Sequence, residues 1–353
     1  MTNLKLMPRQ EKSLNIQSLK CDFVKINLKL AVIIEALVII ALCAALLYQY
    51  SDKKIQIQGN AVVENNNGLL SPRIYAGLLP PKSYLIVNFA PLKEELQNYI
   101  TKNSINVSVY VENLRNGAYM GINEKNGFFP TSLNKLPVAI IIMGKIERGE
   151  LSFETTVPIE DSKKFDTTSS LYNIKEKELP LRVLMEKLLK ESDNVALASL
   201  LNYVTAEDLQ LVFDYYGIDI SAGYPKANPE HVDLISPKSM SNLFSSLYFS
   251  TVLEPSSSEY LLNLLTDSVF DIKKLSDIPE NVRVAQKFGA NYYANHQFFH
   301  DCGIIYIDES RIFYCIMTKG LDEEHAEETI GYMVHEIYSY VVDTKTKFQS
   351  YKP

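Results

Sequence analysis

The chain has 353 residues, 46% hydrophobic and 22% charged, with a formal net charge of −7. Such a composition suits a globular protein with a sizeable buried core and excludes bulk disorder. An acidic body also excludes nucleic-acid binding, because neutralising phosphates needs a clustered basic face.

Taken in chain order, residues 1–29 form a basic tail, with Lys5, Arg9, Lys12, Lys20, Lys25 and Lys29 set against Glu11 and Asp22. Residues 30–50 open with LAVIIEALVIIALCAALLY, an apolar run broken only by Glu35. About twenty such residues span a bilayer as a helix. The basic flank before it predicts a single-pass anchor with a cytoplasmic amino terminus and an extracytoplasmic body. A cleaved signal peptide is the alternative. The length of the run and the lack of an A-x-A site after it favour a retained anchor. Residues 51–84 (VENNNG, LLSP, LLPP) read as a polar linker or stalk.

Structured patterns begin near residue 85 and run to about 345. PLKEELQNYITKN (91–103) has helical spacing. INVSVYVENL (105–114) alternates as a strand, and AYMGIN (118–123) is its hairpin partner across the Asn116-Gly117 turn. Helical periods dominate residues 131–275, as in LRVLMEKLLKES and SMSNLFSSLYFSTVL. Strands return in VRVAQKFGA, CGIIYID and RIFYCIMTK, the last two joined by a Glu309-Ser310 turn. HAEETIGYMVHEIYSYVVDT closes the body as an amphipathic helix. Strands at both ends with helices between them predict an α/β (α+β) fold. One antiparallel sheet is flanked by helices, with an all-helical subdomain inserted and one transmembrane helix in front. A cleft between the two parts is the expected place for a site.

The four cysteines show no metal spacing, and no C-x-x-C is present. Cys302 and Cys315 lie in neighbouring apolar runs and read as buried free thiols, acting as small hydrophobes. The five histidines are scattered, so neither a metal nor an organic cofactor is expected.

Three segments carry chemistry. In PTSLNKLPVAIIIMGKIERGEL, Ser132 and Lys135 stand three residues apart at the start of an apolar helix, which places them on one face. A serine hydroxyl is a weak nucleophile without an adjacent base. An enclosed lysine amine can serve, because burial disfavours its charged form. The helix amino terminus also offers N–H groups to a developing oxyanion. An S-x-x-K alone is weak, and Ser51-Asp52-Lys53-Lys54 matches it with no apolar helix behind. In LLKESDNVALASLL, Ser192-Asp193-Asn194 interrupts a helical apolar pattern. It reads either as polar groups projecting into a cleft or as a helix-to-helix turn with an N-cap. In VRVAQKFGANYY, Lys287 followed by Gly289 suits an anionic substrate approached closely by backbone. An ordinary edge-strand lysine is the other reading.

Together, S-x-x-K, S-D-N and K-x-G at offsets of 60 and 95 residues resemble the three motifs of class A β-lactamases and penicillin-binding proteins. FFPTSLNKLPV, DLISPKSMSNLFSSLY and CGIIYIDESRIFYCIMTKG resemble the surroundings of those motifs, so the likeness covers roughly residues 85–342. The resemblance implies a serine hydrolase acting on β-lactams or on D-alanyl peptides of the cell wall. Ser132 would be the acylated nucleophile, Lys135 its base and Ser192 a proton relay to the departing nitrogen. Asn194 would bind the substrate's amide, and Lys287 with Gly289 and Ala290 its carboxylate and carbonyl. The oxyanion hole would be the backbone N–H groups of Ser132 and Ala290. The partners implied are that small-molecule substrate and the membrane, with a monomeric chain.

Two departures stand out. Phe288 occupies the place of the family's Ser or Thr between Lys and Gly, where a hydroxyl binds the substrate carboxylate. No E-x-x-L-N follows Asn194 to supply a deacylating glutamate. Glu230, in NPEHVD, is the acid nearest the expected distance, although a solvated loop acid is the simpler reading. Two further functions fit the same residues: a non-catalytic or weakly active envelope binding protein, and an esterase using Phe288 as an apolar contact.

Overall fold

The computed structural model describes residues 88–350, apart from 161–168, 173, 219–234 and 309. The expected basic tail, anchor, linker and Glu230 therefore lie outside the described residues. Among the described residues, no helix is long and apolar enough to cross a membrane.

Helix α1 (Ala90–Asn103) buries Leu92 and Leu96 and ends where Ser104 turns left-handed. Strands β1 (Asn106–Asn113) and β2 (Tyr119–Ile122) form the expected hairpin. A single 3₁₀ turn, Thr131–Asn134, leads into α2 (Lys135–Glu147). A short ribbon of β3 (Thr156–Pro158) and β4 (Glu178–Pro180) precedes α3 (Leu181–Lys190), α4 (Asn194–Leu201) and α5 (Ala206–Tyr216). Helices α6 (Pro237–Phe249), α7 (Pro255–Thr266) and the single turn α8 (Ile272–Leu275) complete the helical part. Strands β5 (Arg283–Tyr293), β6 (His296–Ile307) and β7 (Ser310–Lys319) then lead to α9 (Glu323–Ser350).

The main sheet has the order β2-β1-β7-β6-β5, antiparallel throughout. Pairing of β1 with β7 joins the two ends of the body, as the distribution of strand patterns predicts. Strand β7 shows why the strand runs are nearly continuous in apolar residues. Ile312, Tyr314 and Ile316 pack into a layer with α1, α8 and α9, while Phe313, Cys315 and Met317 pack beneath the helical part. Both faces are covered, so period-two alternation of apolar and polar residues is lost. Helix α2 is apolar all round for the same reason: every residue from Lys135 to Met143 is buried, as befits a helix with no solvent face.

Two expectations need correction. Cys302 and Cys315 are not free thiols but a disulfide. They are directly opposed partners in the β6–β7 ladder, a relation that sequence distance does not reveal. The expected Glu309-Ser310 turn falls partly on Glu309, outside the described residues, while Ser310 belongs to β7 and pairs with Ile307. The β5–β6 hairpin is also longer than the sequence pattern indicates, running through Tyr293 and His296 around Ala294 and Asn295, both with positive φ.

In the layer against α9, Asp301 is fully buried and accepts a 2.5 Å hydrogen bond from the Tyr314 hydroxyl. Burial raises its pKa from 3.8 to about 8, against the lowering effects of that bond and of Lys287. The folded chain thus favours the neutral acid, while the unfolded chain ionises near pH 4. Stability from this group is full below pH 4 and is lost as pH rises towards 8. Melting temperatures of Asp301→Asn and wild type should therefore diverge in favour of the variant between pH 4 and 8, by several degrees. A constant difference across that range would refute the assignment.

Candidate active site

The 3₁₀ turn places Ser132 one turn before Lys135. In a 3₁₀ turn residues i and i+3 eclipse, which aligns the two side chains more closely than an α-helix would. Thr131, just before the serine, has φ 49, a left-handed conformation rare for a β-branched residue. Such backbone persists only where its surroundings hold it, and it concentrates at functional sites.

Lys135 is 1% exposed. Its Nζ lies 3.0 Å from Ser132 Oγ, 3.1 Å from Ser192 Oγ and 2.7 Å from Asn194 Oδ1, and also contacts the Ser192 carbonyl oxygen. Four oxygens surround a group with three protons at most. At least one of those oxygens is therefore without a lysine proton at any instant, and proton exchange among the three side chains needs no movement of chain.

The N-cap reading of Ser192-Asp193-Asn194 holds for Asp193, while its two neighbours make other contacts. Asp193 caps α4, accepting from the Ala196 N–H at 2.9 Å, and its other oxygen accepts from Ser169 Oγ at 2.5 Å. Ser192, with φ 56, and Asn194 turn instead to Lys135. The cap fixes the start of the helix and so fixes the two residues that flank it.

On edge strand β5, Lys287 has no exposed surface, and its Nζ donates to the Phe288 carbonyl at 2.9 Å. Burial lowers its pKa well below the usual lysine range, and the Lys135 charge adds to that, opposed by Asp301. Phe288 stacks on Phe270, with 5.1 Å between ring centroids. Gly289 abuts the nucleophile turn. A Cβ there would stand 2.0 Å from Thr131 Oγ1 and 2.8 Å from the Ser132 backbone nitrogen. Only glycine permits that approach. Ala290 follows on the exposed end of the strand, beside a cavity of about 220 Å³ lined by Asn291, Tyr292, Phe299, Leu321 and Glu323 as well. Ser132, Ser192 and Asn194 thus all contact Lys135, Gly289 abuts the turn of Ser132, and Lys287 lies in the electrostatic reach of Lys135. Among the described residues, no three His, Cys, Asp or Glu side chains are grouped to hold a metal ion.

Two residues at this junction carry no motif signal. Thr131 Oγ1 is buried and makes no hydrogen bond among the described residues. His300, buried on β6 directly opposite Gly289, places Nε2 2.9 Å from the Phe129 carbonyl.

The sequence from 91 to 341 matches the profile of the β-lactamase enzyme family. The chain is similar to β-lactamase VEB-1 of Pseudomonas aeruginosa, with 22% identity over 251 residues, covering 66% of this chain and 83% of the relative. Among solved structures it is similar to the TLA-3 extended-spectrum β-lactamase, with TM-score 0.64, 17% identity, and coverage of 72% of this chain and 100% of that one. It is likewise similar to a PBP-A mutant solved as an acyl-enzyme complex with penicillin G, with TM-score 0.61, 18% identity, and coverage of 74% and 99%. The profile match spans well over half of the chain, and the sheet, the helical part and the grouped Ser, Lys and Asn residues agree with it. The chain belongs to the β-lactamase enzyme family and is a serine hydrolase of β-lactamase type.

Proposed function

We propose that the protein forms an acyl-enzyme at Ser132 with β-lactams or related D-alanyl peptides. The observation that carries this reading is one enclosed amine, Lys135 Nζ, at 3.0 and 3.1 Å from two serine hydroxyls. In its neutral form Lys135 takes the Ser132 proton as Oγ bonds to the substrate carbonyl carbon. Charge that develops on the carbonyl oxygen meets the backbone N–H groups of Ser132 and Ala290, with α2 behind them. As the amide C–N bond breaks, a proton passes from Lys135 through Ser192 Oγ to the leaving nitrogen, and Asn194 holds the substrate's amide. Each group acts within hydrogen-bond reach of the next, as general acid–base catalysis requires. The penicillin acyl-enzyme of the PBP-A mutant supports the same chemistry here.

We place this body outside the cytoplasmic membrane, as a monomer held by residues 30–50, with residues 51–84 as its stalk and 85–345 as the catalytic domain. The apolar run and its basic flank support that arrangement. Deacylation is slow in this reading, because no E-x-x-L-N follows Asn194 to supply a base for water. Phe288 offers no hydroxyl to a substrate carboxylate, a loss of roughly 1.5–3 kcal/mol for a charge-assisted bond. Its ring is engaged with Phe270, which leaves the esterase reading without its apolar contact.

Intact mass of the full chain in detergent, mixed with benzylpenicillin, tests the proposal. Wild type should gain one penicilloyl group that persists for many turnovers of an ordinary β-lactamase, and Ser132→Ala should gain none. Absence of both adduct and hydrolysed drug from wild type would overturn the β-lactam reading. Loss of the base in Lys135→Ala should slow acylation by about 10²–10⁴-fold. Gly289→Ala should slow it by about 10²-fold or more. Its methyl group would push β5 from the nucleophile turn and separate the two oxyanion donors. Wild-type acylation by Gly289→Ala would show that the close approach is not needed.

A further inference from the structure

The candidate oxyanion hole is assembled from two segments far apart in sequence, and some interaction must fix their spacing. One donor, the Ser132 N–H, belongs to the turn after Phe128-Phe129-Pro130. The other, the Ala290 N–H, belongs to β5. His300 lies between them. It is fully buried, and as the cross-strand partner of Gly289 it is tied by the β5–β6 ladder to the residue before Ala290. Its Nε2 is 2.9 Å from the Phe129 carbonyl oxygen, which can only accept, so a hydrogen bond there requires the proton on Nε2. Phe128 meets the imidazole edge-on at 5.5 Å, and Phe298 meets it from the same strand at 6.1 Å.

From Phe129 to Ser132 the chain has little freedom. Pro130 sits at φ −69 as the cap of the 3₁₀ turn, Thr131 is held left-handed, and the Leu133 N–H donates to the Pro130 carbonyl at 3.0 Å. Where the Phe129 carbonyl goes, the Ser132 N–H follows. Among the described residues, other supports of this segment include the backbone bridge between Phe128 and Ile235 and the stacking of Phe129 on Tyr293 at 4.4 Å. Neither joins it by a hydrogen bond to the strands that carry Gly289 and Ala290.

We propose that His300 is a positioning residue, whose neutral Nε2–H holds the nucleophile turn against β5 and so sets the spacing of the two oxyanion donors. Burial supports the neutral form, lowering the imidazole pKa to about 4. The proposal rests on the acylation reading for its catalytic consequence, but the structural link is tested apart from it.

Three full-chain proteins in detergent decide the matter: wild type, His300→Leu, which keeps volume without a donor, and His300→Gln, whose amide N–H has the reach of Nε2. Amide hydrogen exchange over residues 128–134 should quicken about tenfold or more in His300→Leu, with β1 and β7 unchanged, and return to near wild type in His300→Gln. With benzylpenicillin, the first-order acylation step should fall by about 10- to 100-fold in His300→Leu with its half-saturation concentration unchanged, and recover to within about threefold in His300→Gln. Wild-type exchange in His300→Leu overturns the link. Wild-type acylation beside quickened exchange overturns the catalytic consequence. If benzylpenicillin fails to acylate wild type, the substrate reading fails and the exchange comparison still decides the role of His300. If His300→Leu does not fold, ¹⁵N shifts of the wild-type ring decide. Nε2–H at neutral pH supports the proposal, and Nδ1–H or an imidazolium overturns it.

Discussion

A lysine amine with 1% of its surface exposed is the constraint around which this site is arranged. Burying such a group without partners carries a penalty of several kcal/mol, so the chain must bring oxygens to it. They come from two places 57 to 59 residues apart, the turn that begins α2 and the junction between α3 and α4. Neither segment is positioned by the sheet alone. Enclosure of Lys135 therefore does two things at once: it closes the fold between two helices, and it brings two serine hydroxyls and an amide onto one nitrogen.

The strained backbone near that nitrogen has an identifiable source of support. Thr131 and Ser192 both adopt left-handed φ, each at an expense of order 1–3 kcal/mol. Behind Thr131 lies α2, whose residues are buried from Lys135 through Met143. Behind Ser192 lies α4, started by the Asp193 cap and packed through Val195, Ala196 and Leu200. Burial of that many apolar side chains, at about 1.5–3 kcal/mol each, far exceeds the strain. Rigid helices thus hold the two hydroxyls in a geometry the local chain would not choose.

How much of this was legible in the sequence depends on whether the signal was local. The motif residues were legible because their spacing and apolar flanks carry the chemistry directly. The pairing of first and last strands followed from strand patterns at both ends of the body. Long-range relations were not legible. The opposition of Cys302 and Cys315 arises from the β6–β7 register, which no residue of either strand announces by itself. The β5–β6 turn uses Ala294 at φ 46, where alanine announces nothing and only Asn295 is a common left-handed residue. His300 offered no motif at all, since its importance comes from standing opposite Gly289 across a ladder. The resemblance supplied the roles of Ser132, Lys135 and Ser192 but not the residues that hold them in place.

Strands β5 and β6 each bury an ionisable group near the nucleophile turn. Lys287 and Asp301 each lie wholly inside the protein, and each is displaced towards its neutral form, the amine downwards and the acid up to about 8. Desolvation leads in both cases and exceeds their mutual attraction. Phe288 adds no polar group and joins Phe270 and Phe299 in an aromatic stack that stabilises the outer layer. A hydroxyl at that position would surrender this packing. The backbone N–H groups near Gly289 and Ala290 have directions set by the pairing of β5 with β6. Oriented dipoles in an enclosed site are effective without reorganisation, but they discriminate anions less sharply than a hydroxyl paired with an exposed ammonium. On this strand, the packing gain at Phe288 and the lack of a side-chain hydroxyl there are two effects of the same residue.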